Sequence, residues 1–366
     1  MTGPEWKVTA EMTDAIRKAV SQVFDIESVT AGKVGEPVLR LQGQFIMPTV
    51  EAYEMLAPRL KELGFTVMFR HDQERQAVWV FPGTLPTVVA PSWLNLVLLI
   101  LTILSTLFVG TTMMSSDVMD FVRRPWLGLP FALSLLVILG AHELGHYFAA
   151  RQYGVPVTLP YFIPMPFGPF GTLGAFISMK APPPNRRALL TVAAAGPLSG
   201  LVLAVPILLV GLSMSPITPL ITDGSLVMEG NSILYAILKV LTFGRFLPGG
   251  GQDVLLHPIA FAGWAGLLVT GLNLLPVGQL DGGHVLYALL GEKARYLTWP
   301  IIIILVGLGI VWNGWFLWAM LILVFGRQHA TPLDDLTGLT FRQRLVGWLV
   351  VVLFILVFTP LPLTVY

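Results

Sequence analysis

Two histidines four residues apart, His142 and His146, enclose a glutamate at position 143 in the run Leu139-Gly140-Ala141-His142-Glu143-Leu144-Gly145-His146-Tyr147-Phe148-Ala149-Ala150. If the run is helical, both imidazoles project from one face a turn apart, the spacing with which two histidines hold one zinc ion. Glu143 then stands where it can take a proton from an attacking water and pass it to a leaving amine. The surrounding run is apolar. In a membrane helix each ionisable side chain costs about 2.5–3.5 kcal/mol, so three within five positions point to a working site. The plainer alternative is a pair of histidines satisfied by hydrogen bonds between helices.

The chain has no cysteine, so disulfides, thiolate ligands and a cysteine nucleophile are excluded, and any metal must be held by His, Asp or Glu. Catalytic zinc ordinarily has three protein ligands and one open position. The candidate for the third is Asp281, in Asn273-Leu274-Leu275-Pro276-Val277-Gly278-Gln279-Leu280-Asp281-Gly282-Gly283-His284. The same aspartate also reads as a capping residue in a Gly-rich turn. His284, three residues on, is either a support or substrate contact or a satisfied surface histidine.

The elements that must position these residues are membrane helices. The chain is 55% hydrophobic and 12% charged, with a mean hydropathy of +0.75, and uncharged runs recur near the ~20 residues that cross a bilayer. Spans are expected at about 93–114, 128–150, 188–212, 258–277 and 344–360. The run 297–325 is too long for one upright helix and too short for two full ones; Trp312-Asn313-Gly314 is a candidate break, and Arg327, Arg342 and Arg344 favour a hairpin. Residues 161–180, rich in Pro, Gly and Phe, read as a short membrane-edge β hairpin that is covered by protein or lines a wet cavity. Its Gly171–Ser178 strand is either a plug or an edge to which an unwound substrate segment adds, which makes Gly171 and Gly174 candidate substrate contacts. Gly196 and Gly200, four apart, let the third span pack closely on a neighbour. Ahead of the spans, residues 1–88 carry nine Lys/Arg and the pattern α-β-β-α-β-β, expected of a small soluble α+β domain with a regulatory or partner-binding role.

Met1 to Met12 have no apolar core of a secretory signal, so the first domain is expected on the inner side of a bacterium-like cell membrane. Counting spans from there returns Arg151, Lys180, Arg186 and Arg187 to the inner side, with Arg123 and Arg124 outside. The alternation brings Asp281 to the same side as His142. A net charge of +1 gives no field for holding nucleic acid, and no nucleic-acid partner is expected.

With both motifs read, the chain resembles the site-2 protease family of intramembrane zinc metalloproteases over roughly residues 128–290. The His-Glu-x-x-His helix and a later Asn-x-x-Pro-x-x-x-Leu-Asp-Gly element occur in order and in a membrane setting. The run Asn185-Arg186-Arg187 to Ala195-Gly196-Pro197-Leu198-Ser199-Gly200 resembles members from cyanobacteria and plastids, although many relatives have Asn where this chain has Gly200. The resemblance implies Zn2+ on His142, His146 and Asp281, Glu143 as general base, Asn273 near the substrate backbone or oxyanion, and regulated intramembrane proteolysis of membrane-anchored protein substrates. It implies a mainly α architecture: a polytopic transmembrane bundle over 89–366 behind the soluble domain.

Rival functions need residues that are missing here. A serine intramembrane protease wants Gly-x-Ser-Gly where this chain has Gly211-Leu212-Ser213-Met214, and an aspartyl type wants two membrane aspartates. A metal transporter or an inactive protease-like binding protein stays open, yet Glu143 is one carboxylate more than three-ligand binding requires. Asp253 and His257 fall in a loop on the opposite side and receive no role. His71 and His329 read as solvated.

Overall fold

The structure, a computed structural model, describes residues 9–32, 37–72, 75–85, 92–219, 227–325 and 331–365. Thr9 opens α1 (Ala10–Val20), its hydroxyl accepting the Met12 N–H. Strands β1 (Phe24–Ala31) and β2 (Leu39–Phe45) follow, then α2 (Thr49–Glu62), β3 (Phe65–Asp72) and β4 (Arg75–Pro82). They form one antiparallel sheet in the order β1-β2-β4-β3. Alternation does the packing: Leu39 and Leu41 on β2 and Phe65, Val67 and Phe69 on β3 turn inward against Ala52, Leu56 and Leu60 of α2. The β3–β4 turn expected across His71 to Gln76 has its tip, 73–74, outside the described residues. His71 is exposed, whereas Arg327 and His329 lie outside the described residues.

Among the described residues, three helices are long and apolar enough to cross a membrane: α3 (Trp93–Met114); α5 (Leu129–Gln152), which follows the short α4 (Asp120–Arg123) and a 3-10 turn; and α6 (Arg186–Ser213). Between α5 and α6 the expected hairpin is present as β5 (Tyr161–Pro164) paired with β6 (Thr172–Phe176). Its hold on α3 is polar. Asn95 Nδ2 donates to the Leu159 and Pro160 carbonyls at 2.7 and 3.0 Å, and Ser105 Oγ donates to the Gly171 carbonyl at 2.5 Å, so the hairpin's backbone groups are met by protein at a depth where water is scarce. Beyond α6 come β7 (Ile217–Pro219), β8 (Val227–Glu229), α7 (Ile233–Phe243), β9 (Gln252–Val254), α8 (Pro258–Asn273) and α9 (Asp281–Leu290). The chain finishes with α10 (Thr298–Gly309), α11 (Gly314–Phe325), α12 (Phe341–Val357) and β10 (Leu363–Val365).

The structure shortens the expected span at 258–277 to a helix of 16 residues, and it moves the one at 344–360 three residues earlier as the 17-residue α12. At about 1.5 Å per residue α8 rises only about 24 Å. It stops at Asn273 because the chain must reverse there to start α9, and only glycines permit the reversal. A Cβ on Gly282 would run into the Leu274 carbonyl oxygen, and one on Gly283 would stand 2.5 Å from the Gly278 carbonyl oxygen. The α7 and α9 helices replace stretches read as loop and turn. The run 297–325 is the expected hairpin, α10 and α11 breaking at 310–313. Large apolar side chains such as Trp93, Leu96, Ile303, Ile304, Met320 and Val352 are exposed, an outward apolar surface that suits lipid as its solvent.

Candidate metal centre

The α5 helix carries His142, Glu143 and His146 inward, with relative exposures of 3%, 5% and 6%. What lets a second helix come so close is the absence of side chains on its facing positions. A Cβ on Gly196 of α6 would collide with the His146 ring, one on Gly200 would press on His142 at 3.3 Å, and one on Gly145 would strike Ser199 and the Ala195 carbonyl. The close packing of the third span, read from Gly196 and Gly200, therefore bears on the two histidines themselves. The gain is a hydrogen bond: His146 Nδ1 lies 2.7 Å from the Val192 carbonyl oxygen. Donation there fixes the tautomer and leaves Nε2 as the lone-pair nitrogen.

The turn between α8 and α9 brings Asp281 against both rings. Its Oδ2 is 3.2 Å from His142 Nε2 and 3.3 Å from His146 Nε2, and donor atoms of the three residues fall within 4.8 Å of one another. Donors about 2.0–2.2 Å from a tetrahedral zinc ion stand about 3.3–3.5 Å apart, so the measured separations fit such an ion between them. Asn273, the last residue of α8, has Nδ2 3.4 Å from His142 Nε2.

These side chains line a cavity of about 420 Å³ together with residues 175–179 of the hairpin, Gln279, and His284. Glu143 lies in the cavity outside the converging trio, and Ile177 shares its lining. Among the described lining residues there is no lysine or arginine. Gly171 and Gly174 are not in the lining. Gly171, at φ +70°, packs on the Ser105 carbonyl and the Thr106 backbone, and Gly174 has φ +104°; the hairpin presents the residues after them instead. Two contributors escaped the sequence reading, Gln279 and the Val192 carbonyl. The first lies within the Asn273–His284 motif, which is its signal, whereas a backbone acceptor leaves none.

Asp253 and His257, given no role in the sequence, have separate ones: Asp253 belongs to a second polar cluster, and His257 to a helix cap. Lys239, almost fully buried, has Nζ 3.8 Å from Asp253 Oδ1 and 3.9 Å from Glu229 Oε1, and lies 4.6 Å over the Tyr235 ring. The Tyr235 hydroxyl donates to Glu229 Oε1 at 2.8 Å. His257 caps α8, its Nδ1 accepting the Ile259 N–H.

Residues 130–312 match the model of peptidase family M50. The chain is 31% identical to "Probable zinc metalloprotease EGY2, chloroplastic" of Arabidopsis thaliana, across 97% of this chain and 66% of that protein. It is 34% identical to "Probable zinc metalloprotease EGY1, chloroplastic" of the same plant, across 64% of this chain and 43% of that protein. Identity is 27% to "Probable zinc metalloprotease EGY3, chloroplastic" of Oryza sativa subsp. japonica, across 63% and 42%. The chain thus spans at most about two thirds of these curated relatives. No solved structure matches it.

Proposed function

The chain belongs to peptidase family M50, the site-2 protease family, and on that premise we propose that it is an intramembrane zinc metalloprotease that hydrolyses peptide bonds of membrane-spanning protein substrates. The observation that carries this reading is the convergence of three donor residues, Asp281 standing 3.2 and 3.3 Å from the two imidazole nitrogens, with a fourth group, Glu143, in the same buried cavity. His142, His146 and Asp281 hold the ion. When bound, zinc supplies Lewis acidity that makes water nucleophilic near neutral pH and polarises a carbonyl. Glu143 accepts the proton of the attacking water and delivers it to the leaving amide nitrogen, so that the amine departs neutral. Asn273 orients the substrate carbonyl, and His284 contacts the substrate from the first turn of α9. The hairpin segment 175–179 supports an unwound stretch of substrate by main-chain pairing, Gly171 and Gly174 giving its strand the bend it needs.

The remaining assignments follow the same reading. Residues 1–88 form the regulatory or partner-binding domain and 89–366 the proteolytic one. The first domain and the metal centre lie on one side of the membrane, the inner side in a bacterium-like cell, as the basic residues around α5 and α6 support.

The test is cleavage of a synthetic transmembrane peptide by the detergent-solubilised full chain, with metal content measured in parallel, for the wild type and Glu143→Gln. We expect one zinc per chain in both and a fall in cleavage of about 10²–10⁴-fold in the variant. Zinc without cleavage in either protein, across several peptides, would favour a metal transporter or an inactive binding protein.

A further inference from the structure

A segment far along the chain ties the first domain to the two helices that support the metal donors. Residues 333–335 run between β3 and the stretch that leads into α6. On one side the Phe69 N–H donates to the Leu333 carbonyl at 2.9 Å, and the Asp335 N–H donates to the Phe69 carbonyl at 3.1 Å. On the other, the Leu333 and Asp334 N–H groups donate to the Pro183 and Pro184 carbonyls at 2.9 and 2.8 Å. The segment thus continues the sheet of the first domain up to Asn185, whose side chain caps α6 by accepting the Ala188 N–H at 3.0 Å. Asp334, 1% exposed, spends its carboxylate on the Leu336 and Thr337 N–H groups and the Thr337 hydroxyl, which fixes the turn.

Asp335 turns the other way, toward the helices. It is 4% exposed; Oδ1 accepts from Arg186 Nε at 2.8 Å and Oδ2 from the Tyr287 hydroxyl at 3.1 Å. Arg186 opens α6, and Tyr287 lies in α9. Counting along α6, 192 − 186 = 6 residues separate Arg186 from Val192, whose carbonyl holds His146. Along α9, 287 − 281 = 6 residues separate Tyr287 from Asp281. Each helix is therefore pinned by the same carboxylate about 9 Å along its axis from a group that contacts the donor set. The Arg186 guanidinium also fills the space that a side chain at Gly291, just past α9, would need. Arg70 of β3 closes the junction by donating to the Phe69 and Leu333 carbonyls at 2.8 and 2.9 Å. Burial pulls this guanidinium below its ordinary value, and Asp335, Tyr287 and Asp334 oppose the shift.

We infer that Asp335 is a positioning residue for the metal centre: by holding α6 through Arg186 and α9 through Tyr287, it sets the distance of His146 from Asp281, and it anchors that setting to the β3 edge of the first domain. The inference rests on the reading of His142, His146 and Asp281 as metal donors. A displacement of the first domain's β3 edge, by a partner or a substrate tail, is transmitted through one carboxylate to two of the three donors, which gives that domain a route to the chemistry without touching the cavity.

Its test uses the purified full chain in detergent, loaded with Co2+ so that visible absorption bands report donor geometry. Tyr287→Phe removes one hydroxyl, and Asp335→Asn removes the charge. We expect a cobalt affinity about 10–100-fold weaker in both, shifted bands, and a kcat reduced by a similar factor with KM unchanged, at a thermal midpoint near that of the wild type. Asp335→Glu, which keeps the charge, should recover part of the loss. If Asp335→Asn does not fold, Tyr287→Phe carries the test. A lowered midpoint with wild-type cobalt affinity, spectrum and kcat would overturn the inference and leave a structural tie. A wild type that binds cobalt and cleaves nothing would refute the protease reading alone, and affinity and spectrum would still decide here. A wild type that binds no metal would overturn both.

Discussion

Two of the polar clusters buried among the described residues, one around Lys239 and one around Asp281, are balanced in opposite ways. Lys239 sits between Glu229 and Asp253 with the Tyr235 hydroxyl on one of the carboxylates, so that cluster carries its own cation. At the other, Asp281 Oδ2 lies against the Nε2 atoms of two imidazoles with a second carboxylate, Glu143, in the same cavity, and no Lys or Arg appears among the described lining residues. Burying charge without a partner is costly. The first arrangement carries its own cation, with Lys239 Nζ at ion-pair distance from both carboxylates; the second, on the reading proposed above, is completed by a cation from outside. A count of ionisable residues would not separate them, whereas the presence of a buried lysine in one and its absence from the described lining of the other does.

The comparison is broken most directly by removing the external cation. A chelator should abolish cleavage, and zinc should restore it, while the Lys239 cluster and the helical content are unaffected; the checks are peptide cleavage and circular dichroism. The converse is Lys239→Met, which strands two carboxylates in the interior. It should lower stability by about 3–5 kcal/mol, read as a fall in thermal midpoint in detergent, and leave metal stoichiometry at the wild-type value. The smallest effect sharpens the picture of the open cluster. Asn273→Ala should reduce cleavage by about 10–100-fold with zinc retained, since Asn273 lies next to His142 but is not one of the three converging donors. Loss of zinc in that variant, measured by metal analysis, would assign Asn273 to holding the donor set instead.

Much of this was legible in the sequence because it is local. The His142-Glu143-x-x-His146 spacing needs only one helix, the strand pattern of residues 24–82 is an alternation, and the glycines at 196 and 200 announce a close helix contact. Asp281 was legible only as one of two readings. Its convergence on the histidines depends on α8 stopping short and α9 starting through Gly282 and Gly283, a reversal that no periodicity expresses. Length failed at α8, where the turn into α9 overruled a run apolar enough for a full span. The segment around Asp334 and Asp335 was invisible for a different reason. Two acids between a proline and a glycine look like a solvated connection, and their burial depends on β3 and residues 183–186, more than a hundred positions away.

The slot that Gly196 leaves for the His146 ring has a consequence for how the ion is acquired. In small zinc folds the ligands are gathered only as the metal binds, so the free energy of binding is spent on folding. Here the ring is wedged between two helices and the Val192 carbonyl holds its tautomer, so its loss of freedom is absorbed by the assembly of the bundle. On the reading of His146 as a donor, little of the ion's binding free energy is then spent on ordering that ring.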